Sequence, residues 1–210
     1  LLREAYDSLG GQRGPQSLRY AQIMGLLGDA HALDELLGNV GSREWDEGWN
    51  FTGMGQFGRS ISYLDSLIIA VGRTKKKEAL PYIFRLMEKL TPEDHFSHFR
   101  ATAIALESIG HPSAAEPLFQ LLEMPGVRGH TMPDIQTAKA LEPKFKNDVS
   151  TRNNSLRELI LARALYKCGD LNGEGFQILT EYSEDLRGHY YRHASGVLEM
   201  YNYLPEKDPD

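Results

Sequence analysis

FRATAIALESIGHPSAAEPLFQLLE, residues 99–123, decides the fold. It reads as an apolar helix, a break at Gly110-His111-Pro112, and a second apolar helix with Pro117 in its first turn, where a missing amide costs no hydrogen bond. The same grammar recurs in LRYAQIMGLLGDAHALDELLGNV (18–40), YLDSLIIAVGRTKKKEALPYIFRLM (63–87) and LRELILARALYKCGDLNGEGFQILTEY (156–182). A helix-turn-helix unit with one apolar face per helix buries that face only by stacking on a copy of itself. The chain is therefore expected to be all-α, an α-α superhelix or solenoid of about four to five helix pairs. A partial unit, GHYYRHASGVLEMYNYL (188–204), is expected to close the stack, leaving PEKDPD (205–210) as a polar, frayed tail.

Register follows from the glycine of each break: Gly28, Gly72, Gly110 and Gly169. One residue before it stand Leu27, Val71, Ile109 and Cys168; four before, Met24, Ile68, Leu106 and Leu165; five before, Ile23, Leu67, Ala105 and Ala164. These offsets share one helical face and predict a buried stripe on each first helix. Ala103, Ala105, Ala162 and Ala164 are small enough to let neighbouring helices approach closely. Each anchor glycine suits a helix C-terminus, where the left-handed conformation is cheap for Gly alone. Asp29, Pro112 with Ser113, and Asp170 then signal the start of the next helix.

Bulk composition narrows the function. The 210 residues read as a single domain over 1–204 followed by the tail at 205–210. Their 23 Lys+Arg against 29 Asp+Glu give a net charge of −6, which argues against a nucleic-acid partner, since phosphates demand a basic footprint. The densest basic run, Arg73 with Lys75, Lys76 and Lys77, falls on a turn and reads as solvated. No apolar run approaches the roughly 18 residues of a membrane span. Cys168 is the one cysteine, which rules out an internal disulfide and reads as a core thiol. The compartment stays open. Because the sequence begins at Leu1 inside a helix-like stretch, further domains are expected upstream.

Two insertions interrupt the repeats, residues 41–60 and 125–150. Each follows a second helix, which puts both on the same edge of a stack. Two repeats separate them, roughly 20 Å if packed helices lie about 8–10 Å apart. The first carries both tryptophans, Trp45 and Trp49, with Phe51, Phe57 and Arg59, and reads equally as a self-packed Ω-type loop or a binding loop. The second carries Arg128, His130, Lys139, Lys144 and Lys146, with a short helix expected from Pro133 to Leu141. His95, His98, His189, Arg192 and His193 are expected on the same edge, which becomes the candidate binding surface for a partner domain, a sugar or the polar end of a cofactor. No catalytic residue and no metal ligand set is assigned.

Three local motifs give way to structural readings. Gly53, Gly55 and Gly58 spell GxGxxG, but the approach EWDEGWNFT is charged and no strand, and a dinucleotide fingerprint needs a buried strand before it. Asp170, Asn172, Glu174, Gly175 and Glu181 approximate a calcium loop, yet Gly169-Asp170 is the repeat's own turn, echoed by Gly28-Asp29. His189 with His193, and His95 with His98, could each share a helix face, but neither pair has a third ligand beside it.

The repeat resembles the HEAT-like repeats of phycobilisome-lyase-type proteins. Gly110, Pro112, Ala114, Pro117, Leu118, Leu121 and Leu122 carry the likeness; the first and fourth units keep Gly-Asp and lose the prolines, and the second has two extra residues before Pro81. That resemblance implies a fold, not an activity. A narrower one lies in GWNFTGMGQFGRSISYLDSLIIAVGRT and DLRGHYYRHA, which resemble the C-terminal helical region of FAD-dependent oxidoreductases of Bacteroidetes, some labelled xanthan lyases. It implies an accessory domain that docks on an upstream catalytic domain or another protein, with FAD in the parent and no cofactor held by these residues. The competing expectation is an enzyme, a lyase or other activity on a polysaccharide or chromophore, with its site on the insertion-bearing edge. A HEAT-like DNA glycosylase is a third, which the acidic balance opposes.

Overall fold

The computed structural model describes residues 1–45, 61–141 and 149–202, and every regular element among them is helical. The helices are α1 (Leu2–Asp7), α2 (Pro15–Leu26), α3 (Leu33–Gly41), α4 (Tyr63–Arg73), α5 (Leu80–Met87), α6 (Phe96–Ile109), α7 (Ala115–Leu122), α8 (Ile135–Ala140), α9 (Ser150–Lys167), α10 (Glu174–Tyr182) and α11 (Gly188–Asn202). The four units of the sequence are the pairs α2/α3, α4/α5, α6/α7 and α9/α10. In three of them a 3-10 turn leads into the second helix, at Lys77–Ala79, Pro112–Ala114 and Leu171–Gly173. α8 realises the short helix expected in the second insertion.

Successive first helices pack on one another, α2 on α4, α4 on α6 and α6 on α9, while α3 touches α5 and α5 touches α7. Absent side chains set the closeness of the first row. A Cβ on Gly25 would fall 2.9 Å from the Ala70 carbonyl oxygen, and one on Gly72 would fall 2.2 Å from the Ala105 Cα. Ala103, Ala105, Ala162 and Ala164 are wholly buried between the rows, together with Met24, Leu67, Ile68, Leu106 and Leu165. Cys168 is buried among them, and burial pushes its thiol up to about 12, so it is a protonated core side chain.

Two expectations are corrected. Gly28, Gly110 and Gly169 do end their helices with positive φ, but Gly72 lies inside α4, which runs on to Arg73. The two extra residues of this unit lengthen the turn, so Lys75 takes the left-handed position at φ 58° and Gly72 becomes a contact point for α6. The buried stripe also fails at the start of the row: Ile23 is 44% and Leu27 73% exposed, whereas Leu67 and Val71 are fully covered. α2 has α4 on one flank and only the six-residue α1, with no buried residue, on the other.

Candidate functional site

The starts of α4 and α6 are joined by hydrogen bonds. Ser62 and Asp65 form a reciprocal capping box on α4, the Asp65 amide donating to Ser62 Oγ and the Ser62 amide to Asp65 Oδ2, each at 3.0 Å. The other carboxylate oxygen of Asp65 lies 2.7 Å from His98 Nδ1, and both side chains are buried. Trp45 lies over His98 with ring centroids 4.5 Å apart, His95 meets it edge-on at 5.9 Å, and the Trp45 indole donates to the Leu86 carbonyl at 2.8 Å. Trp45, His95 and His98 are thus brought together. Trp49, Phe51, Phe57 and Arg59 lie outside the described residues, as do Lys144, Lys146, the GxGxxG glycines and the PEKDPD tail.

In the second insertion His130 and Arg128 make contacts within the fold. Glu158 on α9 accepts from the amides of Gly129 and His130 at 2.7 and 2.9 Å and from the Tyr182 hydroxyl at 2.8 Å. The His130 ring is 2.9 Å from the Gly126 carbonyl oxygen, and Arg128 is paired with Glu123 and Glu174, each at 2.7 Å. Asp170 accepts from the Gly175 amide at 2.6 Å and caps α10, so two members of the calcium-like spacing are spent on structural bonds. Arg157, 6% exposed, donates to the Pro92 carbonyl at 2.5 Å and the Gly126 carbonyl at 3.3 Å, tying both loops to the first-helix row. It borders a polar cleft of about 240 Å³ with Glu93, Asp94, Ser150 and Asn153, and burial lowers its pKa.

The open feature is a groove one turn further along. Phe96, Arg100 and Ile104 form an i, i+4, i+8 stripe on α6, opposite its buried alanines; Leu156, Ile160 and Arg163 form a matching stripe on α9. His189, Tyr190 and His193 on α11 make the third wall of a cavity of about 420 Å³. Arg163 is aimed by Glu107, to which it donates at 2.6 and 2.8 Å, and its remaining nitrogen lies 3.1 Å from His193 Nε2. Since Arg163 can only donate, His193 accepts with Nε2 and is neutral. Partial desolvation of the ring, and then the neighbouring guanidinium, hold its pKa below the ordinary histidine range. His189 and His193 therefore share a helix face, but one nitrogen is already committed, and no group of three or more potential metal ligands occurs among the described residues. Arg192, exposed on α11, does not line the groove.

Sequence reasoning found the α11 wall and missed the other two. The signal was present: Phe96, Arg100 and Ile104 recur every fourth residue on the face that the anchor-glycine stripe leaves open. The Ser62-x-x-Asp65 capping box was equally readable. No protein-family model matches the chain, and no significant match is found among curated proteins. Among the described residues no helix is long and apolar enough to cross a membrane.

Proposed function

We propose that this chain is a non-catalytic helical-repeat interaction domain, a HEAT-like solenoid serving as the accessory region of a larger protein. The observation that carries the reading is the division of labour on its edge. The ionisable groups at the loop ends, Asp65, Glu158, Arg157, Arg128 and Asp170, are occupied by structural hydrogen bonds. Repetition of like contacts supports the stacked arrangement: the Arg73 guanidinium donates to the Leu26 carbonyl at 3.1 Å, and Cys168 Sγ lies 3.5 Å from the Leu106 carbonyl oxygen, so equivalent turns of neighbouring units meet.

The resemblance to the C-terminal region of Bacteroidetes FAD-dependent oxidoreductases, including those labelled xanthan lyases, makes an upstream flavoprotein domain the partner of choice. The test is the intact mass and visible absorbance of the native polypeptide that contains these residues. A mass well above 23.6 kDa with flavin bands is the expected result. A native chain of that mass with no chromophore overturns the flavoprotein parentage.

A catalytic reading, with a lyase acting on a polysaccharide or chromophore, has one favouring observation. In Asp65–His98 a carboxylate orients an imidazole, the arrangement that primes a general base. Its weakness is access, because His98 is 3% exposed beneath Trp45. Turnover by the isolated chain that is lost in His98→Gln would establish it in place of the docking role.

A further inference from the structure

The groove between α6, α9 and α11 combines apolar walls with one hydrogen-bond donor that the fold leaves unused. We propose that it is a binding site for an uncharged organic molecule, an aryl or alkyl carbonyl compound whose apolar body lies on Ile104, Leu156 and Ile160 and whose carbonyl oxygen accepts from His193 Nδ1–H. Such a site is additional to the docking role and does not rest on it.

Size and charge each narrow the occupant. A cavity of about 420 Å³ holds a molecule of roughly one to two dozen heavy atoms and lies in the ordinary range of small-ligand pockets, about 300–1,000 Å³. Arg163 is answered by Glu107 at 2.6 and 2.8 Å, and Tyr201 donates to the other Glu107 oxygen at 3.3 Å, which fixes the pair before any ligand arrives. Arg100 has an interaction partner of its own within the protein. No carboxylate among the described residues lines the cavity, so an entering cation has nothing to pair with either. An ion of either sign would give up hydration without gaining a counter-charge, whereas apolar surface gains by leaving water for Ile104, Leu156 and Ile160.

The polar end follows from the same network. Arg163 can only donate, so His193 takes its hydrogen bond on Nε2 at 3.1 Å and carries its single proton on Nδ1. The lowered pKa of the ring maintains this tautomer at neutral pH. The Nδ1–H makes no hydrogen bond within the protein, and a donor on an otherwise apolar wall is matched by an acceptor that brings no charge with it.

The test uses the full chain and defined probes at about pH 8, where an imidazole is neutral. N-phenyl-1-naphthylamine, an uncharged dye followed by fluorescence, should bind with one-to-one stoichiometry, and hexanophenone should displace it with Kd on the order of 100 µM. Hexylbenzene, which has a similar body and no acceptor, should bind about fivefold more weakly. The anion 4-pentylbenzoate should bind at least about tenfold more weakly than hexanophenone. His193→Phe keeps the ring and removes the donor, so the preference for hexanophenone over hexylbenzene should fall to about onefold. Ile160→Glu places a charge on the apolar wall and should abolish binding of both, and Ile104→Trp, which fills the groove without charging it, should weaken both; circular dichroism confirms that each variant is folded. Equal binding of hexanophenone and hexylbenzene, retention of the preference in His193→Phe, binding of 4-pentylbenzoate as tight as that of hexanophenone, or no displacement by hexanophenone overturns the proposal. None of these outcomes bears on the flavoprotein parentage, which the mass and absorbance of the native polypeptide decide separately.

Discussion

Lys75 and Gly72 carry each other's expected roles. Lys75 sits at φ 58°, a conformation that costs a residue with a Cβ about 1–2 kcal/mol, while Gly72, the residue built for it, stays helical. Lys75→Gly should therefore stabilise the protein by about 0.5–1 kcal/mol after the added freedom of the unfolded chain is subtracted. Gly72→Ala should destabilise it by about 3 kcal/mol, because the new methyl would sit 2.2 Å from the Ala105 Cα and force α4 from α6. Urea unfolding of the two variants, measured together, checks both signs.

Asp185 is a second residue with a decided sign. Burial alone would raise its pKa, but hydrogen bonds from the Arg187 guanidinium and from the amides of Met132 and Arg187 outweigh it and hold the carboxyl below its ordinary value of 3.8. A depressed folded-state pKa means that the ionised group stabilises the fold above about pH 4 and that this contribution disappears as pH falls through the folded value. Asp185→Asn leaves the Arg187 charge without its partner and should cost about 2–3 kcal/mol at pH 7. The deficit relative to the parent should shrink below about pH 4, as the parent's own carboxyl protonates. A deficit that is constant from pH 7 to pH 3 would show that the ion pair contributes nothing.

At the scale of the helix, one sequence position has two fates. Leu27 and Val71 both precede an anchor glycine, yet Leu27 is 73% exposed at the open flank of α2 and Val71 is fully buried. Leu27→Lys should change stability by less than about 0.5 kcal/mol, whereas Val71→Lys buries an ammonium among apolar side chains and should cost about 4 kcal/mol or more. Thermal melts of the two variants separate these outcomes by many degrees. Periodicity therefore made the helices and their inward faces legible, since offsets of four and five residues from each glycine mark a stripe wherever a neighbour exists to cover it. It could not say which helix ends the row. It also could not reveal that Glu158 would be spent on the amides of Gly129 and His130, because a bond between residues that far apart in sequence leaves no local trace. The groove falls between these cases: its α6 and α9 stripes repeat with helical spacing, but nothing local to either one announces that they face each other and α11.

Across the molecule, contact between neighbouring helices sets a gradient of local stability. α6 packs on α4 to one side and on α9 to the other and buries seven of its residues, while α1 and α8 bury none. When each unit is held chiefly by its nearest neighbours, the free energy of opening grows with the number of covered faces, so the middle of the row must be the last part to open. Amide hydrogen exchange should be slowest in α4, α6 and the buried length of α9, and fastest in α1 and α8, with α2 intermediate because one of its flanks is open. The cut through a central interface is the discriminating case. Leu106→Ala, at a wholly buried position on α6, should cost about 3 kcal/mol and accelerate exchange in α4 and α9 together, since both lean on the same helix. If instead the acceleration were uniform from α1 to α11, opening would be a single global event, and the helices would behave as one cooperative core rather than as units supported by their neighbours.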